Sequence, residues 1–211
     1  SVISKVRSVE GRLEKIGIIN NNSKVILDYA HTPDALKLAL LNLKEQFPFS
    51  KINLVFGCGG DRDFKKRPIM GRIADKYSDK IYLTDDNPRY EEPLKIRKEI
   101  KNVINKNKVH EISNRKIAIQ EAIKNLETGD ILLVAGKGHE KIQDYGKKKL
   151  FFSDKNEILN SIKIKNKSLS KDFKLNIIRE QSKSKISNKL VIKDISINSK
   201  IIKKDDIFFA I

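Results

Sequence analysis

The hydrophobic pattern of the chain falls into four short apolar runs separated by longer amphipathic stretches. The runs are "KVILDYA" at 24–30, "INLVFG" at 52–57, "KIYLTD" at 80–85 and "DILLVAG" at 130–136. Each is too short for a helix and ends in a polar or glycine-rich loop, which predicts strands buried on both faces. Between them, apolar residues recur at helical spacing. Thr32 predicts an N-cap and Pro33 a first helical residue for a helix bearing Leu36, Leu40, Leu43 and Phe47 on one face. Pro68 predicts the opening of a second helix, through Met70, Ile73 and Ala74. Pro93 opens a third, with Ile96, Ile100, Val103 and Ile104, and Asn114 caps a fourth, with Ile117, Ala118, Ala122 and Leu126. Strands alternating with helices predict an α/β fold, an open and mostly parallel sheet flanked by helices. Ligands bind such sheets outside the carboxyl ends of the strands, and the four polar loops considered below all follow strand ends.

Beyond the fourth strand, "KIQDYGKKKLFF" predicts a hairpin around Gly146, and Ser153 caps a final helix. Residues 163–189 are rich in Lys, Ser and Asn with weak periodicity and read as a linker. The last stretch, 190–211, regains strand character and reads as the start of a second domain. The chain opens at Ser1 without an initiator Met, so the expectation is a fragment of something longer, with 1–162 as its main domain.

Composition narrows the function. The net charge of +17 invites a nucleic-acid reading, but of 44 basic residues nine are arginine, and the lysines are scattered rather than clustered. Nucleic-acid modules cluster arginine and interleave aromatics that stack on bases, whereas Trp is absent here. The favoured reading is solvated helix faces and no nucleic-acid partner. No apolar run is long enough to span a membrane, and a single cysteine, Cys58, fits a reducing cytoplasm.

Four loops carry candidate chemistry. "LDYAHTPDAL" places Asp28 at a strand end and His31 before a helix N-terminus, which suits a ribose hydroxyl and a phosphate, or local backbone capping. "FGCGGDRDFKKRP" is a glycine-rich turn with Arg62, Lys65, Lys66 and Arg67, where glycines admit an anion and arginine forks onto it. It is not a G-x-x-x-x-G-K-[ST] phosphate loop, a pattern found nowhere in the chain. In "TDDNPRYEEP" the Asn-Pro turn fixes Asp86 and Arg89 together at a strand end, a grip for a zwitterion or a surface ion pair. "AGKGHEKIQ" brings Lys137, His139 and Glu140, where Glu140 receives an ammonium or pairs with a lysine. The three histidines have no metal-ligand spacing.

Taken in order, "GRLEKI", "DYAHTPDAL", "FGCGGDRD..KRP.MG", "TDDNPR.EEP" and "VAGKGHE..Q" resemble the C-terminal, Rossmann-like domain of the Mur ligase family over residues 5–162. Within the family the pattern is most similar to the UDP-N-acetylmuramoyl-tripeptide synthetases. The resemblance implies an ATP-dependent carbon–nitrogen ligase acting through an acyl phosphate, in which this domain closes over ATP and delivers the amino acid. It implies that Mg²⁺ is held mainly by a central domain that carries the phosphate loop. Carried over, it implies that Arg12, Asp28 and His31 contact the nucleotide. Arg62, Asp86, Asn87, Pro88, Arg89, Gly136 and Glu140 would line the amino-acid pocket. The Asp-Asn-Pro-Arg loop implies meso-diaminopimelate, added to UDP-N-acetylmuramoyl-L-alanyl-D-glutamate in peptidoglycan synthesis. Folylpolyglutamate- or cyanophycin-type ligases are the alternative within the superfamily. A second resemblance, "ISINSKIIKKDDIFFAI", is similar to the opening of a Mur ligase's N-terminal UDP-sugar domain, implying fusion to the ligase that adds D-alanyl-D-alanine. Asn198, Lys200 and Asp205 depart from that pattern, so no UDP role is carried over to Ser199.

Overall fold

The computed structural model describes residues 11–182, 194–196 and 206–208. The "GRLEKI" stretch therefore enters the described part at Gly11, and part of 183–211 lies outside it. The chain divides into two compact units after Asn166.

The first unit is built on a six-stranded sheet. Its strands are β1 (Glu14–Ile18), β2 (Lys24–Asp28), β3 (Ile52–Phe56), β4 (Lys80–Leu83), β5 (Val109–Glu111) and β6 (Ile131–Ala135), in the order β1-β2-β6-β3-β4-β5. All neighbours are parallel except β1, which lies antiparallel on β2. The four apolar runs are β2, β3, β4 and β6, and every residue of β3 and β6 is buried, as central parallel strands require. The short edge strands β1 and β5 escaped the hydrophobic pattern because they are only partly buried.

Alternation along the strands divides the core between two faces. Ile52, Leu54, Phe56, Ile131 and Leu133 pack with Leu36, Leu40 and Leu43 of α1 (Pro33–Gln46), Met70 and Ala74 of α2 (Lys66–Tyr77), and Ile96 and Ile100 of α3 (Pro93–Lys101). Burying each Leu stabilises the fold by about 1.5–3 kcal/mol. Helix α4 (Arg115–Lys124) contacts β3, β4 and β6, and its buried residues lie outside that cluster.

The helix starts follow the sequence closely. Thr32 Oγ1 accepts from Ala35 N, Asn114 Oδ1 accepts from Ile117 N, and Pro33 and Pro93 take first helical positions. Two details differ. α2 begins at Lys66, so Pro68 is its third residue, where a missing N–H still costs no helical bond. On α4 the buried apolar residues are Ala118, Ile119, Ala122 and Ile123, while Ile117 is exposed.

After β6 come the predicted hairpin, β7 (Ile142–Tyr145) with β8 (Lys148–Phe151), and α5 (Asp154–Ser182). Gly146 turns the hairpin with a φ of 68°. Ser153 Oγ accepts from Asn156 N at the start of α5. Over 163–182, the first part of the stretch read as a linker, the backbone is helical. That run contains neither Gly nor Pro, and lysine propagates a helix well. In the second unit, β9 (Asp194–Ser196) and β10 (Asp206–Phe208) pair in parallel.

Candidate functional site

Because β6 lies between β2 and β3, the carboxyl ends of β2, β6, β3 and β4 stand side by side. The four candidate loops leave the sheet from those ends. The Asp-Asn-Pro-Arg turn after β4 is fixed from three sides. Gly60 N donates to Asn87 O at 2.9 Å, and a Cβ at Gly60 would collide with the Pro88 carbonyl oxygen. That glycine therefore serves the approach of one loop to another, where the sequence suggested approach to an anion. From the hairpin, Gln143 Nε2 donates to the carbonyls of Asp85 (3.2 Å) and Asp86 (2.9 Å), and Arg89 N donates to Asp144 O at 2.9 Å. Asp85 is paired with Arg97 of α3 and accepts from the Tyr145 hydroxyl at 3.0 Å.

Asn87 spends its side chain on this framework. Its Oδ1 accepts from Lys137 Nζ (2.9 Å) and Asp144 N (3.0 Å), and its Nδ2 donates to Glu140 at 2.9 Å. The Lys137 ammonium is fully buried, and its three donors meet Asn87 Oδ1, Glu140 Oε2 (2.9 Å) and Ile142 O (2.7 Å). Burial works against the Glu140 carboxylate, yet the bonds from Lys137 and Asn87 hold it below the usual carboxylate range. Of the two roles open to Glu140, pairing with a lysine is realised.

Above this framework opens a cavity of about 480 Å³. Arg62, Asp86, Asn87, Arg89, Gly136 and Glu140 all line it, six of the seven residues assigned to an amino-acid pocket. Pro88 does not, since its carbonyl faces Gly60. Guanidinium groups and carboxylates thus share one concave surface, a set suited to a ligand bearing both carboxylates and ammonium groups. Asp86 is 8% exposed, and burial raises its carboxyl above the usual range, against the opposing pull of Arg115 and Lys137. Gly136 has a φ of 117°, and a Cβ there would stand 2.6 Å from Asp86 Oδ2.

A second cleft, about 350 Å³, adjoins the first and is lined by Arg12, Asp28 and His31 together with Leu38 and Asn42 of α1. Tyr29 and His31 line both cavities. Asp28 accepts from Leu13 N and Ala30 N, each at 2.7 Å, and His31 Nδ1 lies 2.9 Å from Tyr29 O. These are the capping roles the residues permitted. Each Asp28 oxygen retains a lone pair for a further donor.

Three charges have structural roles that the sequence reading did not assign to them. Arg67, read as one of the turn's anion-binding cations, is 1% exposed and pairs with Glu91 and Glu99 at 2.8 Å. Lys137 joins Asn87, distant in sequence, to its near neighbours Glu140 and Ile142, and Arg115 owes its role to the distant Ala135 and Asp154. Cys58 is buried against Met70, and desolvation pushes its thiol up to about 12, which makes it unreactive.

Residues 11–138 match the family model of the Mur ligase, glutamate ligase domain. The UDP-N-acetylmuramoyl-L-alanyl-D-glutamate–2,6-diaminopimelate ligase of Rickettsia rickettsii is 51% identical over 161 residues, covering 76% of this chain and 33% of the relative. That of Rickettsia typhi (strain Wilmington) is 42% identical over 191 residues, 90% of this chain and 36% of the relative. A solved structure of a ligase of the same name superposes with a TM-score of 0.68 at 38% identity, covering 76% of this chain and 33% of that one. The chain thus spans about a third of the length of the relatives it matches. With the family model covering most of the sheet and its loops, the chain belongs to the Mur ligase family and carries its glutamate ligase domain.

Proposed function

We propose that this chain is the amino-acid-delivering domain of an ATP-dependent ligase that adds meso-diaminopimelate to UDP-N-acetylmuramoyl-L-alanyl-D-glutamate in cytoplasmic peptidoglycan precursor synthesis. The observation that carries the reading is the convergence of Arg62, Arg89, Asp86 and Glu140 on one cavity beside a second cleft lined by Arg12, Asp28 and His31. Relatives of about half identity bearing the diaminopimelate ligase name support the choice of amino acid. Diaminopimelate carries one more carboxylate than lysine, so a selective pocket needs a further cation, and Arg89 is positioned to be it.

In this reading Arg62 and Arg89 orient the ligand's carboxylates, Asp86 receives an ammonium, and Gly136 keeps the floor of the pocket open. Asp28 and His31 suit ribose and phosphate, with Arg12 as the phosphate cation. ATP supplies the phosphoryl group that activates the acceptor carboxylate. In this reading Mg²⁺ is held mainly by the central domain that carries the phosphate loop. No helix among the described residues is long and apolar enough to cross a membrane.

The division into 1–162, a connecting stretch at 163–189 and the start of a following Mur ligase at 190–211 belongs to the same proposal. Its support is the parallel pairing of β9 with β10, which brings the two ends of residues 194–208 together. The test is a ligase assay, in the enzyme that carries this domain, with the UDP-dipeptide, ATP, Mg²⁺ and either meso-diaminopimelate or L-lysine. Product with diaminopimelate and little with lysine is expected. Equal use of lysine overturns the reading. DNA affinity that falls steeply with salt would favour a nucleic-acid module instead.

A further inference from the structure

Arg115 is the first residue of α4, where a cation opposes the helix dipole, and it is buried to 1% exposure. Its guanidinium joins three parts of the structure. Nε and Nη2 fork onto Asp154 at 2.8 and 2.7 Å, and Nη2 also donates to the Ala135 carbonyl at 2.9 Å. Ala135 ends β6 immediately before Gly136 of the pocket. The remaining nitrogen, Nη1, points toward Asp86 Oδ2 at 4.0 Å. Both of these atoms are buried, and neither has a hydrogen-bond partner among the described residues.

A buried cation and a buried carboxylate oxygen that face each other without touching are costly on stability grounds alone. Asp86 lines the cavity with 11% of its side chain exposed, so its negative charge is felt by a ligand there although Oδ2 itself is buried on the Arg115 side. We infer that Arg115 is a positioning residue of the amino-acid pocket: anchored on Asp154 and the Ala135 carbonyl, it holds Asp86 as a carboxylate facing the ligand's ammonium. The inference rests on the reading of this cavity as the diaminopimelate pocket.

The other groups facing Asp86 are Lys137 and Glu140 from the loop after β6, Asp154 from α5, Tyr29 from the end of β2 and Cys58 after β3. Lys137 is committed to three acceptors of its own, which leaves Arg115 as the cation whose free donor is aimed at Asp86. Burial already raises the Asp86 carboxyl, and loss of the Arg115 charge raises it further, so the pocket loses its anion first at the acid end of the working range.

The test is an NMR pH titration of the Asp86 carboxyl carbon in the 211-residue chain, assigned with Asp86→Asn, alongside calorimetric binding of meso-diaminopimelate at about pH 6 and about pH 8. Arg115→Lys is the decisive variant. An ammonium keeps a charge opposite Asp154, so the chain is expected to fold. A single nitrogen nevertheless lacks the spread of the guanidinium, whose Nε, Nη1 and Nη2 face Asp154, Ala135 and Asp86 from separate positions. The expected result is a higher Asp86 midpoint, with affinity down about tenfold or more at about pH 6 and clearly less at about pH 8. Arg115→Met, where it folds, moves both further. An unchanged Asp86 midpoint with equal weakening at both pH values marks a merely structural residue and overturns the inference. If neither variant folds, the wild-type chain decides. Its Arg115 guanidinium resonances must shift at the Asp86 midpoint and lose that shift in Asp86→Asn, and absence of the shift overturns the inference. If the wild-type chain binds no diaminopimelate while the Asp86 midpoint still moves in Arg115→Lys, the ligand assignment fails and the Arg115–Asp86 linkage stands.

Discussion

Arg89 Nη1 donates to the Gly60 carbonyl oxygen at 2.7 Å, tying the turn after β4 to the glycine-rich turn after β3. Arg89 sits at a φ of 53°, a left-handed conformation that a non-glycine residue adopts at a cost, so the surrounding bonds must hold it there. Its backbone N–H is fixed by Asp144 O, and only one of its side-chain nitrogens is engaged by Gly60. The rest of the fork remains for the cavity it lines.

The first prediction concerns that fork. In the ligase carrying this domain, Arg89→Ala should weaken diaminopimelate use by well over tenfold and leave ATP binding nearly unchanged. Removing one partner of a desolvated charge pair costs roughly 2–5 kcal/mol. Arg89→Lys should rescue little, because an ammonium cannot reproduce the planar fork. Steady-state assays of the three proteins with diaminopimelate and with L-lysine check this. An Arg89→Ala enzyme with wild-type kinetics would reduce Arg89 to a loop tie.

A second prediction follows from the Asp86 carboxyl, which burial raises above its ordinary value. Below both the unfolded and folded pKa the group is neutral in both states and costs nothing. As pH rises, the unfolded chain releases this proton first, so Asp86 subtracts stability through the window between the two values and above it. Asp86→Asn should therefore raise the thermal midpoint at neutral pH, and the gain should shrink as pH falls through that window. Binding should be lost in the same variant, the trade expected of a strained site residue. A lower midpoint at neutral pH would show that the carboxylate is a net structural asset.

How much of this was legible in the sequence depends on how local the physics is. β2, β3, β4 and β6 announced themselves because both faces are buried, and Thr32, Pro33, Pro93 and Asn114 because caps act within one turn. β1 and β5 did not, since an edge strand needs little apolar surface. Six residues of the candidate pocket line one cavity, and Asn87 and Glu140 among them are bound to Lys137. The two Asn87 bonds join residues about fifty positions apart, and no composition or spacing predicts them. Lys137 and Glu140, by contrast, are three residues apart, and their pairing is one of the readings open to the sequence. Arg115 left only the faint signal of a cation beside a helix cap.

A third prediction is that the 211-residue chain by itself forms no amide bond. It has no G-x-x-x-x-G-K-[ST] loop, so nothing cradles the β- and γ-phosphates during transfer. Weak ATP binding at the Arg12, Asp28 and His31 cleft is still expected. Incubation with UDP-dipeptide, diaminopimelate, ATP and Mg²⁺ followed by mass analysis checks it, and tripeptide product would refute it.

The last prediction compares two ion pairs of equal length, Arg115–Asp154 and Lys51–Glu127, both at 2.7 Å. Distance alone would rank them together, but their surroundings do not. Both side chains of the first pair have no exposed surface, whereas those of the second are 56% and 59% exposed. In water the second pair is screened and its long side chains lose rotamer freedom on pairing, so Glu127→Ala should leave stability unchanged within error. Asp154→Ala removes the counter-charge of a guanidinium that cannot reach solvent, and breaking a buried pair costs about 3–5 kcal/mol. That is a large fraction of the roughly 5–15 kcal/mol that holds a domain folded. Asp154 also opens α5, where a carboxylate favours the helix N-terminus, so the loss acts on the helix as well as on the pair. Urea unfolding of wild type and both variants measures the difference. The Asp154→Ala midpoint should fall sharply with the slope unchanged, and the Glu127→Ala curve should overlay wild type. Equal midpoints for the two variants would mean that Arg115 finds another partner when Asp154 is gone. Asp86, 4.0 Å away, would be the first place to look.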